Sequence, residues 1–152
     1  MEKRERAILN RLITGLFLSG LLFFSVGATD IVLFTDITPG QASTLIAEKG
    51  ADPLFVILDV RTAEEFSTGR IKGSLNVDIR ATNFKEKIEK LDRSAVYLVV
   101  CRGGVRSAHA MNLMKEWGFQ AVYNLGGGLM QWQAENLPIE TDAGQSQEPS
   151  EN

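Results

Sequence analysis

The single cysteine of this chain stands in the stretch VVCRGGVRS, residues 99–107, where an apolar run ends and a loop with two arginines and two glycines begins. A thiol that only filled a core would be embedded in more apolar sequence. In open α/β sheets, ligands gather beyond the carboxyl ends of the strands, and Cys101 falls there if a strand precedes it and a helix follows. Gly103 and Gly104 permit backbone angles that other residues resist, so successive N–H groups can turn inward as an anion-binding nest. The following helix adds its positive N-terminal end. Arg102 and Arg106 add fork-shaped donors suited to small oxyanions. Such surroundings take a cysteine from a pKa of about 8.5 into the range of about 3.5–7.5, so the expected species is a nucleophilic thiolate. A cysteine that merely fills a strand end is the alternative reading.

Holding that loop requires strands and helices in alternation. Three apolar runs, LFVILDV (54–60), AVYLVVC (95–101) and AVYNL (121–125), show no polar alternation, as expected of strands covered on both faces. TPGQASTLIAEKG has Pro39 early and Gly50 just past its end, the asymmetry of helix start and stop, with Leu45 and Ile46 on the inner face. After the cysteine, Val105, Ala108, Met111 and Met114 recur every three residues, joined by Ala110, Leu113 and Trp117, which predicts an amphipathic helix up to Gly118. NFKEKIEKLD and GLMQWQAEN are further short helices, the second closed by Leu137 and Pro138. The expected fold class is α/β, a small open, mostly parallel sheet with helices on both faces.

Length and composition fit one domain, since 152 residues with 44% hydrophobic content supply a single core. A formal net charge of −3 argues against nucleic acid as a partner, which calls for a broad excess of Lys and Arg. Residues 1–28 have the layout of a secretory signal: a basic start, an apolar centre from Leu16 to Val26, and small residues at Val26 and Ala28. That centre is short of the roughly 20 apolar residues of a membrane span, so cleavage after Ala28 is the first expectation. An uncleaved anchor lengthened by Leu12 and Ile13 is the second, and only then is the membrane a partner. Either way the expected location is outside the cytosol, periplasmic or secreted. One thiol cannot form an internal disulfide, so the fold must rest on its core. Residues 29–140 are the expected domain. Residues 141–152, rich in Gly, Ser, Gln and acids, are expected to be a disordered tail.

Other residues invite chemical readings. His109, the only histidine, shares the polar stripe of its helix with Arg106, Asn112 and Glu116, which favours a solvated side chain over a base for the thiol. Asp59 and Arg61, with Glu64 and Glu65, are read as caps and braces at a strand end rather than as acid–base groups. The glycines 126–128 lack the Gly-Lys-Ser/Thr ending of a phosphate loop and are read as a tight turn into the last helix. Trp117 and Trp132 are expected core aromatics.

The stretches at 58–79 (LDVRTAEEFSTGRIKGSLNVDI), 99–119 (VVCRGGVRSAHAMNLMKEWGF) and 122–132 (VYNLGGGLMQW) resemble, in order and spacing, the three signature stretches of single-domain rhodaneses. The resemblance runs from about Asp36 to Pro138. It implies a sulfurtransferase that takes sulfane sulfur from a small anionic donor such as thiosulfate and passes it, as a cysteine persulfide, to cyanide or another thiophilic acceptor. It also implies that Cys101 is the sulfur carrier, that Arg102, Gly103, Gly104, Val105 and Arg106 form the substrate-binding loop, and that neither metal nor organic cofactor takes part. Phosphatase relatives use Cys-x5-Arg, whereas Cys101 to Arg106 is Cys-x4-Arg, a smaller ring suited to sulfur. A partner-binding module without catalysis is a further alternative on this fold. Arg70, Lys72 and Ser74 stand where relatives commonly have His, Pro and Ala. That substitution predicts a looser turn and a more basic rim beside the site.

Overall fold

Strand β4, Val96–Val100, is apolar throughout because both of its faces are covered. The computed structural model describes residues 33–142. In chain order the elements are β1 (Leu33–Ile37), α1 (Pro39–Lys49), β2 (Phe55–Asp59), α2 (Ala63–Ser67), β3 (Leu75–Asn76), α3 (Phe84–Glu89), β4, α4 (Val105–Glu116), β5 (Ala121–Leu125) and α5 (Gly128–Ala134). All pairings in the five-stranded sheet are parallel, in the order β1-β5-β4-β2-β3. Side chains alternate along β4. Tyr97 and Val99 join Ile88, Ala110, Met114 and Phe119 under α3 and α4, while Leu98 and Val100 join Ala42, Leu129 and Trp132 under α1 and α5. Cys101 continues the first set, so the strand itself aims its sulfur towards α4.

The three central strands and the helices at 39–49, 84–89, 105–116 and 128–134 lie where the sequence patterns place them. Strands β1 and β3 carry no such pattern. The first is an edge strand with Thr35 and Asp36 exposed, and the second is two residues long. The helix after the cysteine is also turned from its expected phase. Positions three apart advance about 300° on a helix, so three such steps slip by about half a turn. Val105 and Met114 therefore face opposite ways, Val105 80% exposed and Met114 fully buried, and the inner face is Ser107, Ala110 and Met114.

Local chemistry fixes the ends of the other elements. Thr38 caps α1 through a capping box with Gln41, ahead of Pro39. Gly50 ends that helix, as expected, with a right-handed φ of −62. Thr62 and Glu65 form the same capping box on α2. Trp132 is buried, as expected, and donates its indole N–H to the Pro138 carbonyl at 3.0 Å; Trp117 is only partly buried, tilted against Phe84.

The expected signal segment, 1–28, lies outside the described residues, as does most of the expected tail. Thr141 and Asp142 are described, however, and Asp142 pairs with Arg70 while Glu140 bridges Arg70 through backbone hydrogen bonds. The fastened chain thus continues past 140. Among the described residues no helix is long and apolar enough to cross a membrane.

Asp59 and Arg61 brace the end of β2, and they do so as a buried ion pair. Arg61 Nη2 donates to Asp59 Oδ2 at 2.6 Å, Nε reaches both carboxylate oxygens at 3.0 Å, and the remaining donors serve the Glu65 and Gly69 carbonyls. Asp59 is wholly buried, so removing the cation strands its charge. Arg61→Met should lower unfolding stability by about 3–5 kcal/mol, read as a fall in the denaturant midpoint. An unshifted midpoint would show that the pair does not support the strand end.

Candidate active site

Every peptide unit in a loop carries both a donor and an acceptor, so amides can face an anion only if the matching carbonyls find partners elsewhere. Here they do. The Cys101 carbonyl accepts from Leu129 N–H and the Arg102 carbonyl from Met130 N–H, both at 2.9 Å. These donors belong to the first turn of α5, where N–H groups have no partner within the helix. The loop amides are left to face the sulfur. Gly104 N–H donates to Cys101 Sγ at 3.1 Å, and the Ser107 hydroxyl lies 3.2 Å from the same atom.

Two glycines make this approach possible. Gly104 has φ +91 and caps α4, and a Cβ on it would lie 3.0 Å from Gly127 N. Gly128 has φ +58, and a Cβ there would collide with the Cys101 and Arg102 carbonyl groups. Gly103 is different. Its φ is ordinary and an added Cβ would meet nothing within 4 Å, so the backbone freedom expected of both loop glycines is needed at Gly104 alone. The glycine turn at 126–128 leads into the last helix, as expected, but it also forms the floor under the cysteine loop, which the sequence reading missed.

Burial pushes the Cys101 thiol up, since the residue is only 1% exposed. The Ser107 hydroxyl and the amides of Ser107, Gly103 and Gly104 together outweigh burial and bring the thiol below its ordinary value. The arginines are not the main cause. Arg106 gives Nη1 and Nη2 to the two oxygens of Glu65, each at 2.7 Å, so its fork is engaged by α2 rather than open to an oxyanion. The same bond, opposed by burial and aided by the Thr62 amide, lowers the Glu65 carboxyl to about 2. The stability this pair contributes is present above the ordinary carboxylate range and is lost only as pH falls towards 2.

Arg102 is exposed and makes no ion pair or side-chain hydrogen bond among the described residues. It lines a cleft of about 300 Å³ together with Arg61, Glu65, Thr68, Gly69 and Leu129. Neither Arg70 nor Lys72 lines it. Arg70 stacks over Phe66 at 4.8 Å and pairs with Asp142, while Lys72 lies 3.7 Å from Glu140. The expected basic rim is instead a fastening for the C-terminal segment, and the turn is tied by Ser74, whose hydroxyl donates to the Ile71 carbonyl. His109 is exposed and Glu64 likewise. Among the described residues no cluster of His, Cys, Asp and Glu could hold a metal ion.

Ser107 is the side chain at the sulfur that sequence reasoning passed over. Its signal is a fully buried hydroxyl on the inner face of α4, at a position where packing alone favours an apolar residue. Its single proton faces two acceptors, Cys101 Sγ and the Gly104 carbonyl at 3.1 Å, and an ionised sulfur is the stronger of the two.

Fold and site together define a parallel α/β domain built around a cysteine-centred anion loop. Residues 38–135 match the rhodanese-like domain, and the chain belongs to that family. It is 34% identical over 111 residues to the thiosulfate sulfurtransferase GlpE of Actinobacillus succinogenes, covering 73% of this chain and 95% of that protein. It is 39% identical over 88 residues to YtwF of Bacillus subtilis strain 168, covering 58% and 82%. The crystal structure of a rhodanese-related protein from Thermoplasma volcanium superposes with a TM-score of 0.59 at 29% identity, covering 71% of this chain and 99% of that one.

Ser107→Ala removes a donor from the thiolate and leaves burial unopposed to that extent. The pH profile of Cys101 alkylation, high above the thiol pKa and low below it, should move to higher pH in this variant. An unmoved profile would rule out Ser107 as a support of the anion.

Proposed function

We propose that this protein is a sulfurtransferase that carries sulfane sulfur on Cys101. The observation that supports the reading most directly is the pair of donors on Sγ, Gly104 N–H at 3.1 Å and the Ser107 hydroxyl at 3.2 Å, in a chain of the rhodanese-like family. In the first half-reaction the Cys101 thiolate attacks the outer sulfur of thiosulfate. A sulfur–sulfur bond forms at Sγ, the one in thiosulfate breaks, and sulfite leaves with the electron pair. Charge is conserved, and the product is an anionic persulfide. In the second, a thiophilic acceptor such as cyanide attacks the outer sulfur, and the Cys101 thiolate leaves.

Both half-reactions move negative charge between sulfur atoms near the same loop. Donors already oriented there stabilise that charge without reorganising, as an oxyanion hole does for oxygen. Arg102, the open cation of the cleft, draws in the anionic donor, and the α4 N-terminus adds its dipole to the same region. Arg106 acts through Glu65 as a strut that keeps the loop closed on the sulfur.

Intact-mass measurement tests the carrier. Thiosulfate should make the protein heavier by one sulfur atom, cyanide should remove that mass as thiocyanate, and Cys101→Ser should show neither change. Absence of the added mass in the wild type, or hydrolysis of an aryl phosphate without thiocyanate formation, would overturn the proposal. Residues 1–28 are proposed as an export leader on their sequence layout. The same spectrum of protein recovered from outside the cytosol should begin at Thr29; a full-length mass in the membrane fraction would identify an anchor instead.

A further inference from the structure

Thiosulfate and cyanide are small, strongly hydrated anions, and neither has use for apolar surface beside the sulfur. Yet the mouth of the site has it. Among the described residues four large apolar side chains stand exposed: Leu54 at 49%, Leu75 at 43%, Val105 at 80% and Met130 at 58%. Two of the four belong to the site. Val105 opens α4 directly after Gly104, and Met130 lies in the first turn of α5 with its N–H on the Arg102 carbonyl. The two helix starts abut, since a Cβ on Gly104 would lie 3.0 Å from Gly127 N. Arg102 is the open cation: it lines one cleft with Met130, and Val105 follows it in the same loop. The other arginines at this end of the sheet are occupied, Arg61 by Asp59 and Arg106 by Glu65.

Resting on the sulfur-carrier reading, we infer that the surface formed by Arg102, Val105 and Met130 docks a protein acceptor, one that presents its cysteine on a protruding segment with an aliphatic side chain and a carboxylate beside the thiol. Each part answers a feature of the site. The carboxylate matches the unpaired charge of Arg102, and the aliphatic group covers Val105 and Met130. Protrusion follows from the burial of Cys101, 1% exposed, which a flat surface cannot approach. The acceptor thiolate attacks the outer sulfur, forming a persulfide on the partner while the Cys101 thiolate leaves, so charge and electrons balance without a further reactant.

The test uses the full chain loaded with thiosulfate and freed of excess donor. Its acceptors are cyanide, glutathione and two synthetic single-cysteine peptides, one with Leu and Asp beside the cysteine and one with Ser and Lys there. Compared at equal thiolate concentration, the Leu/Asp peptide should take sulfur about tenfold faster than the other, the effect of burying part of one aliphatic side chain. Val105→Ser with Met130→Gln should erase most of that preference, read as the ratio of peptide to cyanide rate within the same variant, and Arg102→Glu should turn the charge preference towards Lys. Equal rates for the two peptides, a ratio unmoved by the variants, or glutathione matching the Leu/Asp peptide would overturn the docking surface while thiocyanate formation still upholds the carrier. A wild type that yields no thiocyanate would remove both.

Discussion

The site depends on where two carbonyl groups go. A nest of inward N–H groups at the end of a buried strand leaves its C=O groups facing protein, and unpartnered they would cost more than the nest gains. The first turn of α5 removes that obstacle by giving its otherwise unpaired N–H groups to the Cys101 and Arg102 carbonyls. The cysteine loop and the glycine turn, far apart in sequence, are therefore one structural unit. Gly128 follows from the same arrangement, because any side chain there would displace the carbonyls that orient the loop.

The Cys101 thiol is lowered by short hydrogen bonds rather than by a field of distant charge. Burial works against ionisation of Cys101, and what opposes it is a hydroxyl and amides close to the sulfur. Such contacts are little affected by ionic strength, unlike charges acting through solvent. Two of the arginines near the site do mechanical work. Arg61 ties the end of β2 to the turn at Gly69, and Arg106 ties α4 to α2, which leaves Arg102 to meet ligands.

Much of this was legible in the sequence because burial on both faces leaves a plain mark. The runs at 54–60, 95–101 and 121–125 read as covered strands, and the cysteine stands at the end of the middle one. Edge elements leave a weaker mark: β1 has Thr35 and Asp36 exposed and no residue fully buried, and β3 is too short to show a period. The phase of α4 was misread because a three-residue repeat drifts around a helix, and that same error hid Ser107 on the inner face. Spacing also could not disclose that Arg106 is gripped by Glu65, since the two are brought together only by the packing of α2 beside the loop. Arg70 and Lys72 are a similar case: Asp142, the partner of Arg70, lies in the segment expected to be loose, and Glu140, the partner of Lys72, is the last residue before it.

A buried thiol and an accessible reaction are in tension, and the sulfur-carrier reading resolves it. Cys101 is shielded from solvent, which limits its oxidation and its encounter with large molecules, whereas a small dianion needs far less room to meet it. On that reading, once sulfur has been added the reactive atom is no longer Sγ but the one bonded to it. The first half-reaction is thus governed by the interior of the loop, and the second by whatever surrounds its opening. Val105 is turned outward by the half-turn slip along α4 and stands exposed on the same loop as Arg102, so under the proposed docking surface selection among acceptors is separated from the chemistry of loading.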